Sequence, residues 1–474
     1  MLPLPLLLQA SLLASAPLPS HSPMDITKSW GAYTPYFAVE PYKPPPSGCI
    51  VDQVCPPSAG TDASSGLLPL QVHILERHGA RFPTSGSSAT IVSAVDKLQS
   101  VATYTDPRFD FLKTFVYDLG IADLVPFGAL QAHQSGELAY KRYRHLIAEG
   151  NLPFVRASSG QRVVDSATNW TAGFAFASNH VYNPPLAVVL PEDGNNTLDD
   201  AGCPNAGSSD VQTNTWLAIF APPITARLNA AAPGANITDP ETYALISLCA
   251  FHTVGSAPGR RTGSRIGKTP AAEPELVLSP FCALFTDSEF ADFEYSMDLD
   301  KYYGTGYGAH LGRPQGIGYT NELLARLTRT PVNDSTQTNS TLDCCAETFP
   351  LDRALYADFS HDNEMVAIWA AMGLFKQKEA LDPTGRRSGD GDEEWVVSRM
   401  VPFSGRMVVE RLVCRSVHGE EEARVRILVN DAVQPLEFCS GGSGSGVCPL
   451  EAFVESQGYA RRGGDGEWEM CFEE

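Results

Sequence analysis

Apolar runs of strand length alternate along this chain with stretches in which apolar residues recur at helical spacing. The run Leu70 to Leu75 predicts a strand that ends just before Arg77, and Phe127 to Leu146 predicts a helix. Further strands are predicted at 152–156, at 187–190 as a buried strand, and at 354–359, 405–414 and 424–430, with further helices at about 88–100, 162–177 and 318–327.

Strand signals fade between about 195 and 310, where short helical pieces separated by Pro and Gly dominate. Strands that alternate with helices predict an α/β sheet, and a helix-rich middle predicts a second domain inserted into it. We therefore expect an α/β catalytic domain over 28–194 and 311–474 and a smaller, mainly α-helical inserted domain over 195–310. Residues 41–70 are rich in Pro, Gly and Ser and predict a loop.

The N-terminus carries a short apolar run, Leu4 to Leu13, followed by Ala14-Ser15-Ala16. This order is typical of a secretory signal peptide, which we place at 1–23; the alternative is a buried N-terminal helix. The run is too short to span a membrane. Secretion also agrees with Asn-X-Ser/Thr sequons, which make candidate glycosylation sites of Asn169, Asn195, Asn236, Asn333 and Asn339.

The chain of 474 residues carries 55 Asp and Glu against 34 Lys and Arg, a net charge of −21. Such a charge excludes a broad basic surface for nucleic acid or anionic membrane. It also disfavours an anionic substrate unless cations are concentrated in one place. The 11 cysteines include no CxxC pair, so disulfides are expected rather than zinc or thioredoxin-type sites, and the odd count leaves at least one thiol unpaired.

The strongest chemical signal is the heptapeptide Arg77-His78-Gly79-Ala80-Arg81-Phe82-Pro83, just past the first predicted strand. Active sites of α/β sheets lie at strand ends. Arginines grip phosphate through paired hydrogen bonds, and an imidazole among them can attack phosphorus to form a covalent intermediate. Gly79 permits a tight turn that brings its N–H close to a phosphate oxygen. The alternative is a surface turn with two solvated arginines and a capping histidine.

Two weaker signals also follow predicted strands. His361-Asp362 stands just past the strand over 354–359, where Asp362 can protonate a leaving alkoxide and His361 can donate to the phosphate. Arg156 closes the strand over 152–156. Taken alone, such a dipeptide is more often a solvated turn, and a lone arginine is more often a surface charge. Their positions at strand ends favour a shared site instead.

Together these residues resemble the signature of the histidine acid phosphatases, and more closely that of the fungal phytases. The matching segments, in the family's order, are Trp30–Phe37, Arg77–Pro83, Arg156–Ser158, Lys301–Gly304, Gln315–Leu323 and Ser360–Asn363. The likeness covers nearly everything from about residue 28 to 474. It implies a phosphoglycerate-mutase-like α/β/α sandwich with a smaller inserted α-helical domain.

The resemblance implies a secreted phytase that hydrolyses phosphate monoesters of myo-inositol hexakisphosphate through a phosphohistidine. In that mechanism His78 is the nucleophile and Asp362 the general acid, and the residues that bind the substrate phosphate are Arg77, Arg81, Arg156 and His361. No metal or organic cofactor and no nucleic-acid or membrane partner is implied, and a monomer is expected. Alternatives are a broad-specificity histidine acid phosphatase, a multiple inositol polyphosphate phosphatase and an inactive secreted homologue that binds polyanions.

Two departures from the family pattern concern the substrate and the cysteines. Ser87 and the acidic or apolar residues of 289–294 stand where some fungal phytases place lysines that grip inositol phosphates. This pattern is similar to the basidiomycete-type enzymes, which tend to attack the 6-phosphate first. The family-like disulfides are Cys49–Cys414, Cys203–Cys471, Cys249–Cys282 and Cys439–Cys448. Cys55, Cys344 and Cys345 are left over, and the adjacency of the last two strains a bridge between them.

Two stretches look inserted relative to the family. We hypothesise that residues 55–72 are an extra segment, of natural or mis-spliced origin, that disturbs the first strand. Residues 255–276 contain Gly263–Thr269, which imitates a P-loop but has three residues between its glycines where four are required, so we expect a basic surface loop. The acidic composition finally predicts activity below about pH 6, where carboxylates take protons while arginines stay charged.

Overall fold

The computed structural model of the chain describes residues 24–47, 49–50, 70–259, 276–386, 395–415, 421–439 and 446–473. The expected signal peptide, Cys55, residues 55–69 of the first expected insertion and the P-loop-like Gly263–Thr269 lie outside these ranges. None of the helices within them combines the length with the apolar composition that a membrane-spanning segment needs.

The described residues alternate between strands and helices over most of the chain. The strands are β1 (Cys49–Ile50), β2 (Gln71–Arg77), β3 (Phe154–Ser158), β4 (Leu186–Leu190), β5 (Leu355–Ser360), β6 (Arg406–Arg415), β7 (Glu421–Val429), β8 (Ala432–Val433) and β9 (Val447–Pro449). The helices are α1 (Ser85–Gln99), α2 (Pro126–Tyr143), α3 (Gln161–Ala177), α4 (Asp210–Ala231), α5 (Asp239–Ser256), α6 (Asp287–Gly304), α7 (Ile317–Thr328), α8 (Ser340–Asp343), α9 (Asp362–Met372), α10 (Val397–Met400), α11 (Leu450–Ser456) and α12 (Gly458–Arg461).

The strands form one mixed sheet with the order β4-β3-β5-β2-β6-β7-β8. Strands β2 to β5 run parallel, whereas β6 is antiparallel to β2 and to β7. Every residue of β2, β3 and β5 is buried, as is typical of parallel strands that are covered on both faces.

Helices cover the sheet on both faces. Along β2, Val72 and Ile74 belong to a hydrophobic core shared with α2 and α3, whereas Leu75 belongs to a larger core shared with α1, α9 and α4 to α6. Successive side chains of a strand point to opposite faces, so these two cores lie on opposite sides of the sheet. The α/β fold class predicted from the sequence is confirmed. The division into a catalytic and an inserted domain stays a prediction.

Two local expectations are wrong. Strand β4 is not buried throughout, because it forms the edge of the sheet, and only Val188 and Leu190 of its residues are buried. The region 195–310 is not made of short helical pieces: α4 has 22 residues and α5 and α6 have 18 each. Pro222 and Pro223 lie inside α4, which nonetheless continues because one of its faces packs into the larger core.

Strands β1 and β2 lie end to end along the same side of β6. Ile50 pairs with Val413, and β2 pairs with β6 from Arg411 onward. The partners of Ile50 and Gln71 on β6, Val413 and Arg411, are therefore only two residues apart. The last residues of the expected insertion, 71 and 72, form the regular start of β2, so the expected disturbance of this strand is not found.

Four disulfides cross-link the described chain, and two of them join segments that are distant in sequence. Cys49–Cys414 ties β1 to β6, and Cys203–Cys471 ties the segment before α4 to the C-terminal region, with sequence separations of 365 and 268 residues. The other two are Cys249–Cys282 and Cys439–Cys448. Among the described cysteines, Cys344 and Cys345 remain as free thiols. Cross-links of such long loops stabilise the folded chain mainly by restricting the unfolded one.

Candidate active site

The carboxyl ends of β2 and β5 bring the two strongest sequence signals together. Arg77 pairs in register with Ser360 across these parallel strands, and the His78 N–H donates to the Ser360 carbonyl at 3.1 Å. The residues that follow each strand, His78 and His361, therefore lie side by side, with ring centroids 5.6 Å apart. Helix α9 begins at Asp362, directly after His361. The site thus lies where the ends of parallel strands are expected to place it.

His78 is held as a neutral ring. Its side chain is buried, and its Nδ1 lies 2.8 Å from the Gly79 carbonyl oxygen, which can only accept. The ring proton therefore lies on Nδ1, and the electron pair is left on Nε2. Burial lowers the pKa of His78 well below its usual value, and the positive charge of Arg77 lowers it further. A neutral imidazole with a free electron pair is the form that a nucleophile requires.

Gly79 has a different role from the one the sequence suggests. Its N–H donates to Ser166 Oγ at 3.0 Å, so the expectation that this N–H faces a phosphate oxygen is wrong. A Cβ built at Gly79 would lie 2.3 Å from the carbonyl oxygen of Gly128, near the start of α2. Glycine is needed here because the loop after β2 packs backbone against backbone on that helix.

Arg77 is fixed from several sides. Its Nη1 donates to the carbonyl oxygens of Ala32 and Val401, and its guanidinium carbon lies 4.7 Å from the centre of the Phe403 ring. Its Nη2 lies 3.3 Å from Asp362 Oδ2. Burial lowers the pKa of Arg77 to about 10, which still leaves it charged in acid and neutral solution. The side chain is therefore a rigid positive group beside the two histidines.

A further arginine, Arg162, joins this cluster from the first turn of α3. Its Nη2 lies 3.2 Å from Nδ1 of His361. Burial lowers the pKa of Arg162, and the next largest cause is the positive charge of Arg81. Both arginines also lower the pKa of His78. Arg77, Arg81 and Arg162 therefore make one concentrated positive region around the candidate nucleophile.

The prediction that Arg156 binds the substrate phosphate is corrected by the structure. Its guanidinium is 1% exposed and donates to Asp358 Oδ1 at 2.9 Å and to Glu322 Oε2 at 2.6 Å. Arg326 donates to the other oxygen of Asp358 at 2.6 Å. These buried ion pairs tie β3 and β5 to α7. Arg156 therefore holds the sheet to a helix, and its donors are occupied by carboxylates.

The sequence pattern pointed to the wrong arginine because it cannot show which way a strand residue faces. Arg156 pairs in register with Asp358, inside the sheet rather than beyond its edge. Arg162 follows six residues later, where the first turn of a helix favours bound anions. A second arginine at the start of the predicted helix over 162–177 is the signal that would have found it.

His361 has protein partners on both ring nitrogens. Its Nε2 lies 3.0 Å from Glu192 Oε1 and 3.5 Å from Asp199 Oδ2. Because the guanidinium of Arg162 can only donate, Nδ1 accepts from Arg162 and the Nε2–H donates to Glu192. Neither Glu192 nor Asp199 belongs to a sequence motif, so no pattern along the chain selects them.

Glu192 is itself held in place. Its Oε1 accepts from Ser158 Oγ and from the Gly160 N–H, both at 2.8 Å. The hydrogen bond from His361 is the largest of the effects that lower the pKa of Glu192 to about 2. Within the described residues, Glu192, Asp199 and His361 form a group whose ligand-type atoms lie within 4.8 Å of one another. Within this group, His361 Nε2 and Glu192 Oε1 already share a hydrogen bond.

Asp362 lies between two cations. Its Oδ2 is 3.0 Å from Lys301 Nζ as well as 3.3 Å from Arg77 Nη2. Burial by itself would raise the pKa of Asp362, but attraction by Arg77 and then by Lys301 outweighs it and holds the pKa well below its usual range. Lys301 also contacts Asp300 at 3.2 Å and donates to Asn363 at 2.6 Å. Asp362 is therefore ionised in the free protein.

A cavity of about 360 Å³ adjoins this cluster. Tyr33 and Asp300 line it, and Asp300 is the residue that contacts Lys301. The remaining described lining comes from α1, α4, α5 and α6 and is rich in hydroxyl groups. It includes Asp210, and among the described lining residues there is no lysine or arginine. The cavity can accommodate the part of a substrate that extends beyond the reacting phosphate.

Three carboxylates, two histidines and three arginines at one edge of the sheet form a cluster with the groups that phosphate transfer requires. The family model of the histidine phosphatase superfamily, branch 2, matches residues 70–430, a range that contains all of these side chains. The chain belongs to this superfamily. The expected family is thereby confirmed.

Curated members of the branch resemble the chain over nearly its whole length. Phytase A of Emericella nidulans is 39% identical over 459 residues, which cover 94% of this chain and 91% of the relative. Phytase A of Aspergillus fumigatus is 39% identical over 454 residues, which cover 94% and 90%. This branch 2 histidine phosphatase is therefore a phosphoric monoester hydrolase by family.

Solved structures of related fold agree with the architecture. The phytase from D. castellii superposes with a TM-score of 0.69 at 21% identity and covers 92% of this chain and 84% of its own. The multiple inositol polyphosphate phosphatase of Bifidobacterium longum, in complex with inositol hexasulfate, superposes with a TM-score of 0.59 at 15% identity and covers 90% and 96%. At these identities the likeness supports the fold of the histidine phosphatase.

Proposed function

We propose that this histidine phosphatase is a secreted phytase, which removes phosphate from myo-inositol hexakisphosphate through a phosphohistidine at His78. The observation that carries the proposal is a buried, neutral His78 surrounded by Arg77, Arg81 and Arg162. The arginines supply the positive charge that a transferring phosphoryl group needs. The Phytase A relatives support the substrate class.

In the first step, Nε2 of His78 attacks phosphorus. A P–N bond forms while the ester P–O bond breaks, and the arginines donate to the phosphoryl oxygens. The departing alkoxide takes a proton from Asp362 and leaves as a free hydroxyl of the inositol ring. We expect the substrate phosphate to displace the contact between Arg162 and His361. Both side chains then contact the phosphate oxygens instead of each other.

Asp362 must gain its proton together with the substrate, because Arg77 and Lys301 keep it ionised in the free protein. A bound phosphate competes for the same two cations and weakens their hold on Asp362, so the pKa of Asp362 rises in the complex. Below about pH 6 the ester phosphate itself carries a proton that can pass to Asp362. The mechanism therefore favours acid conditions.

In the second step, Asp362 acts as the base. Its carboxylate takes a proton from the water that attacks phosphorus, the P–N bond breaks and inorganic phosphate leaves. His78 regains its electron pair, and Asp362 is left protonated. No metal or organic cofactor takes part in the proposed steps.

The cross-links and the sequons support export from the cell. Four disulfides fit an extracellular, oxidising compartment. Asn195, Asn236 and Asn333 are exposed, whereas Asn169 and Asn339 are partly buried. We propose that the exposed three are glycosylated more completely. A monomer without nucleic-acid or membrane partners stays our prediction.

A second candidate function is favoured by the cavity. Its described lining has Asp210 and Asp300 but neither lysine nor arginine, which opposes the many phosphates of inositol hexakisphosphate. A broad-specificity acid phosphatase, or a multiple inositol polyphosphate phosphatase that prefers partly dephosphorylated inositols, fits this lining. The 6-phosphate preference suggested by the sequence is part of the first proposal.

The deciding experiment measures phosphate release from inositol hexakisphosphate and from p-nitrophenyl phosphate at several acid pH values. His78→Ala is compared with His310→Ala, which changes an exposed histidine outside the site. Acid-labile, base-stable phosphate on the protein after rapid quenching reports the phosphohistidine. The phytase proposal predicts a higher kcat/KM for inositol hexakisphosphate, abolished in His78→Ala and unchanged in His310→Ala.

Other outcomes select other functions. Similar kcat/KM for both substrates supports the broad-specificity phosphatase. A preference for partly dephosphorylated inositols supports the multiple inositol polyphosphate phosphatase. Binding of polyanions without phosphate release from any of them supports the inactive homologue. Full activity in His78→Ala would refute the phosphohistidine mechanism for each of the three phosphatases.

A further inference from the structure

Cys344 and Cys345 form an exposed pair of thiols outside the four disulfides. Both side chains are exposed, and their Sγ atoms lie 2.9 Å apart. That separation is within about 1 Å of an S–S bond, whose length is about 2.05 Å. Every other described cysteine is already paired in a disulfide. The pair lies outside the phosphate cluster, so the proposed function leaves it without a role.

The two thiols are held on a well-bonded turn. Cys344 ends helix α8, and its Sγ lies 3.4 Å from the Thr341 carbonyl oxygen. The carbonyl of Cys345 accepts from the Phe349 N–H at 2.7 Å. The Phe349 ring in turn lies 4.6 Å from the guanidinium carbon of Arg326, which belongs to the buried ion-pair network. The backbone on both sides of the sulfur atoms is therefore anchored to the protein.

We propose that Cys344 and Cys345 are a redox modification site, at which a low-molecular-weight disulfide such as oxidised glutathione converts the adjacent thiols into a reversible disulfide. The two sulfur atoms are already in contact and face solvent, so the oxidant reaches them without unfolding of the chain. The buried cysteines of the other pairs do not offer this access.

The reaction proceeds by two exchanges. The thiolate of Cys344 attacks one sulfur of the oxidant, which forms a mixed disulfide and releases one glutathione thiolate. The thiolate of Cys345 then attacks Cys344 Sγ and releases the second glutathione. The protein loses two protons and two electrons, and the oxidant becomes two thiols. The hydrogen bond to Cys344 raises the pKa of Cys345, so a smaller share of Cys345 is in the reactive thiolate form at a given pH.

The resulting bond is expected to be easily reduced. Neighbouring Cα atoms are about 3.8 Å apart, below the usual disulfide range of about 4.4 to 6.8 Å, so a bridge between adjacent residues is strained. Strained and exposed disulfides have more oxidising potentials than buried structural ones. A mild reductant should therefore open this bond while the four other disulfides stay closed.

The test uses the full-length secreted chain in glutathione buffers of graded redox potential. Acid-quenched samples are alkylated, deglycosylated and digested with trypsin, which releases the peptide from 330 to 353 that carries both thiols. We expect this peptide to carry no alkyl group after oxidising buffer, because its two thiols are joined in a disulfide, and to carry two alkyl groups after mildly reducing buffer. Peptides of the other four disulfides should not change over that range.

Matched single variants separate this reaction from ordinary thiol oxidation. Cys344→Ser and Cys345→Ser each keep one thiol, so we expect each to retain one glutathione as a stable mixed disulfide. The double variant should take up none in this peptide and should fold and release phosphate like the parent. One bound glutathione on each cysteine of the parent, a bond to Cys55 or to another chain, or reduction only together with the buried disulfides would overturn the proposal.

Discussion

Nη2 of Arg162 lies 3.2 Å from Nδ1 of His361, and the positive charge of Arg162 also lowers the pKa of His78. A helix that follows β3 supplies the arginine, and the end of β5 supplies the histidine. This contact supports the proposal that Arg162, rather than the Arg156 predicted from the sequence, binds the substrate phosphate. The two arginines can be told apart by mutation.

Arg162→Ala should reduce activity without loss of stability. The side chain is partly exposed at the site. We propose that it donates hydrogen bonds to the phosphoryl oxygens while negative charge develops on them. Removal of one such donor typically costs about 10²- to 10³-fold in kcat. The measurement is kcat and KM for inositol hexakisphosphate, together with the midpoint of urea unfolding. A variant with unchanged kcat would contradict the assignment.

Arg156→Ala should have the opposite profile. It leaves the buried carboxylates of Asp358 and Glu322 without their main partner, and breaking a buried pair in this way costs about 3 to 5 kcal/mol. Urea unfolding at pH 6 measures the loss in the free energy of unfolding. Residual folded enzyme should keep a near-normal KM. Wild-type stability combined with a large rise in KM would show that Arg156 binds the substrate phosphate and would contradict this assignment.

Lys301→Met should extend activity toward higher pH. Attraction by Lys301 is one of the effects that keep Asp362 ionised, so its removal raises the pKa of Asp362. Because the proposed acid must be protonated, the alkaline limb of the kcat profile should move upward by a similar amount. Lys141→Met, which changes an exposed lysine on α2, is the control. An unshifted limb would mean that Asp362 is not the acid.

Glu192→Gln should lower the free energy of unfolding at mildly acid and neutral pH, and should leave it nearly unchanged in strongly acid solution. The pKa of Glu192 is lowered to about 2 in the folded chain, mainly by its bond with His361. Its ionised form therefore contributes stability above the unfolded pKa of about 4.3, and that contribution disappears as the pH falls toward 2. The difference in unfolding midpoint between variant and parent should be largest near pH 6. A difference that grows on acidification would contradict this ion pair.

Glu76→Gln should increase the free energy of unfolding at neutral pH. Burial raises the pKa of Glu76 to about 7, although Arg406 and the hydrogen bond from Ser135 oppose this effect. The unfolded carboxyl ionises near 4.3, so the parent loses stability as the pH rises from there to about 7, on the order of 3 kcal/mol. The variant has no such loss. Unfolding of both proteins at pH 4 and pH 8 should give equal stability at the first and a more stable variant at the second.

This behaviour of Glu76 gives the acid preference a structural basis. The sequence suggested acid conditions from the net charge of −21. In the folded chain, a buried carboxyl that prefers its proton is a local reason for higher stability in acid. If the parent and Glu76→Gln are equally stable at pH 8, this local reason does not hold.

Several parts of the fold and the site were accessible from the sequence. The apolar periods placed β2, β3, β5 and the helices α1 to α3 within a few residues of their observed bounds. Local signals failed over 195–310, because Pro222 and Pro223 read as breaks while packing into the larger core keeps α4 continuous. Burial of β4 also could not be read, because an edge strand and a central strand have the same local composition.

The sequence by itself determined the chemical groups and the strand ends that carry them, because parallel strands bring their carboxyl ends to one edge whatever surrounds them. His78, Arg77 and Asp362 follow from that rule. Only the tertiary structure decided that Arg156 serves an internal ion-pair network, that Arg162 lies beside His361, and that Lys301 contacts Asp362 while Glu192 contacts His361. Those contacts depend on which charged or polar groups approach each other within about 3 Å. The groups concerned belong to elements that are far apart in the chain.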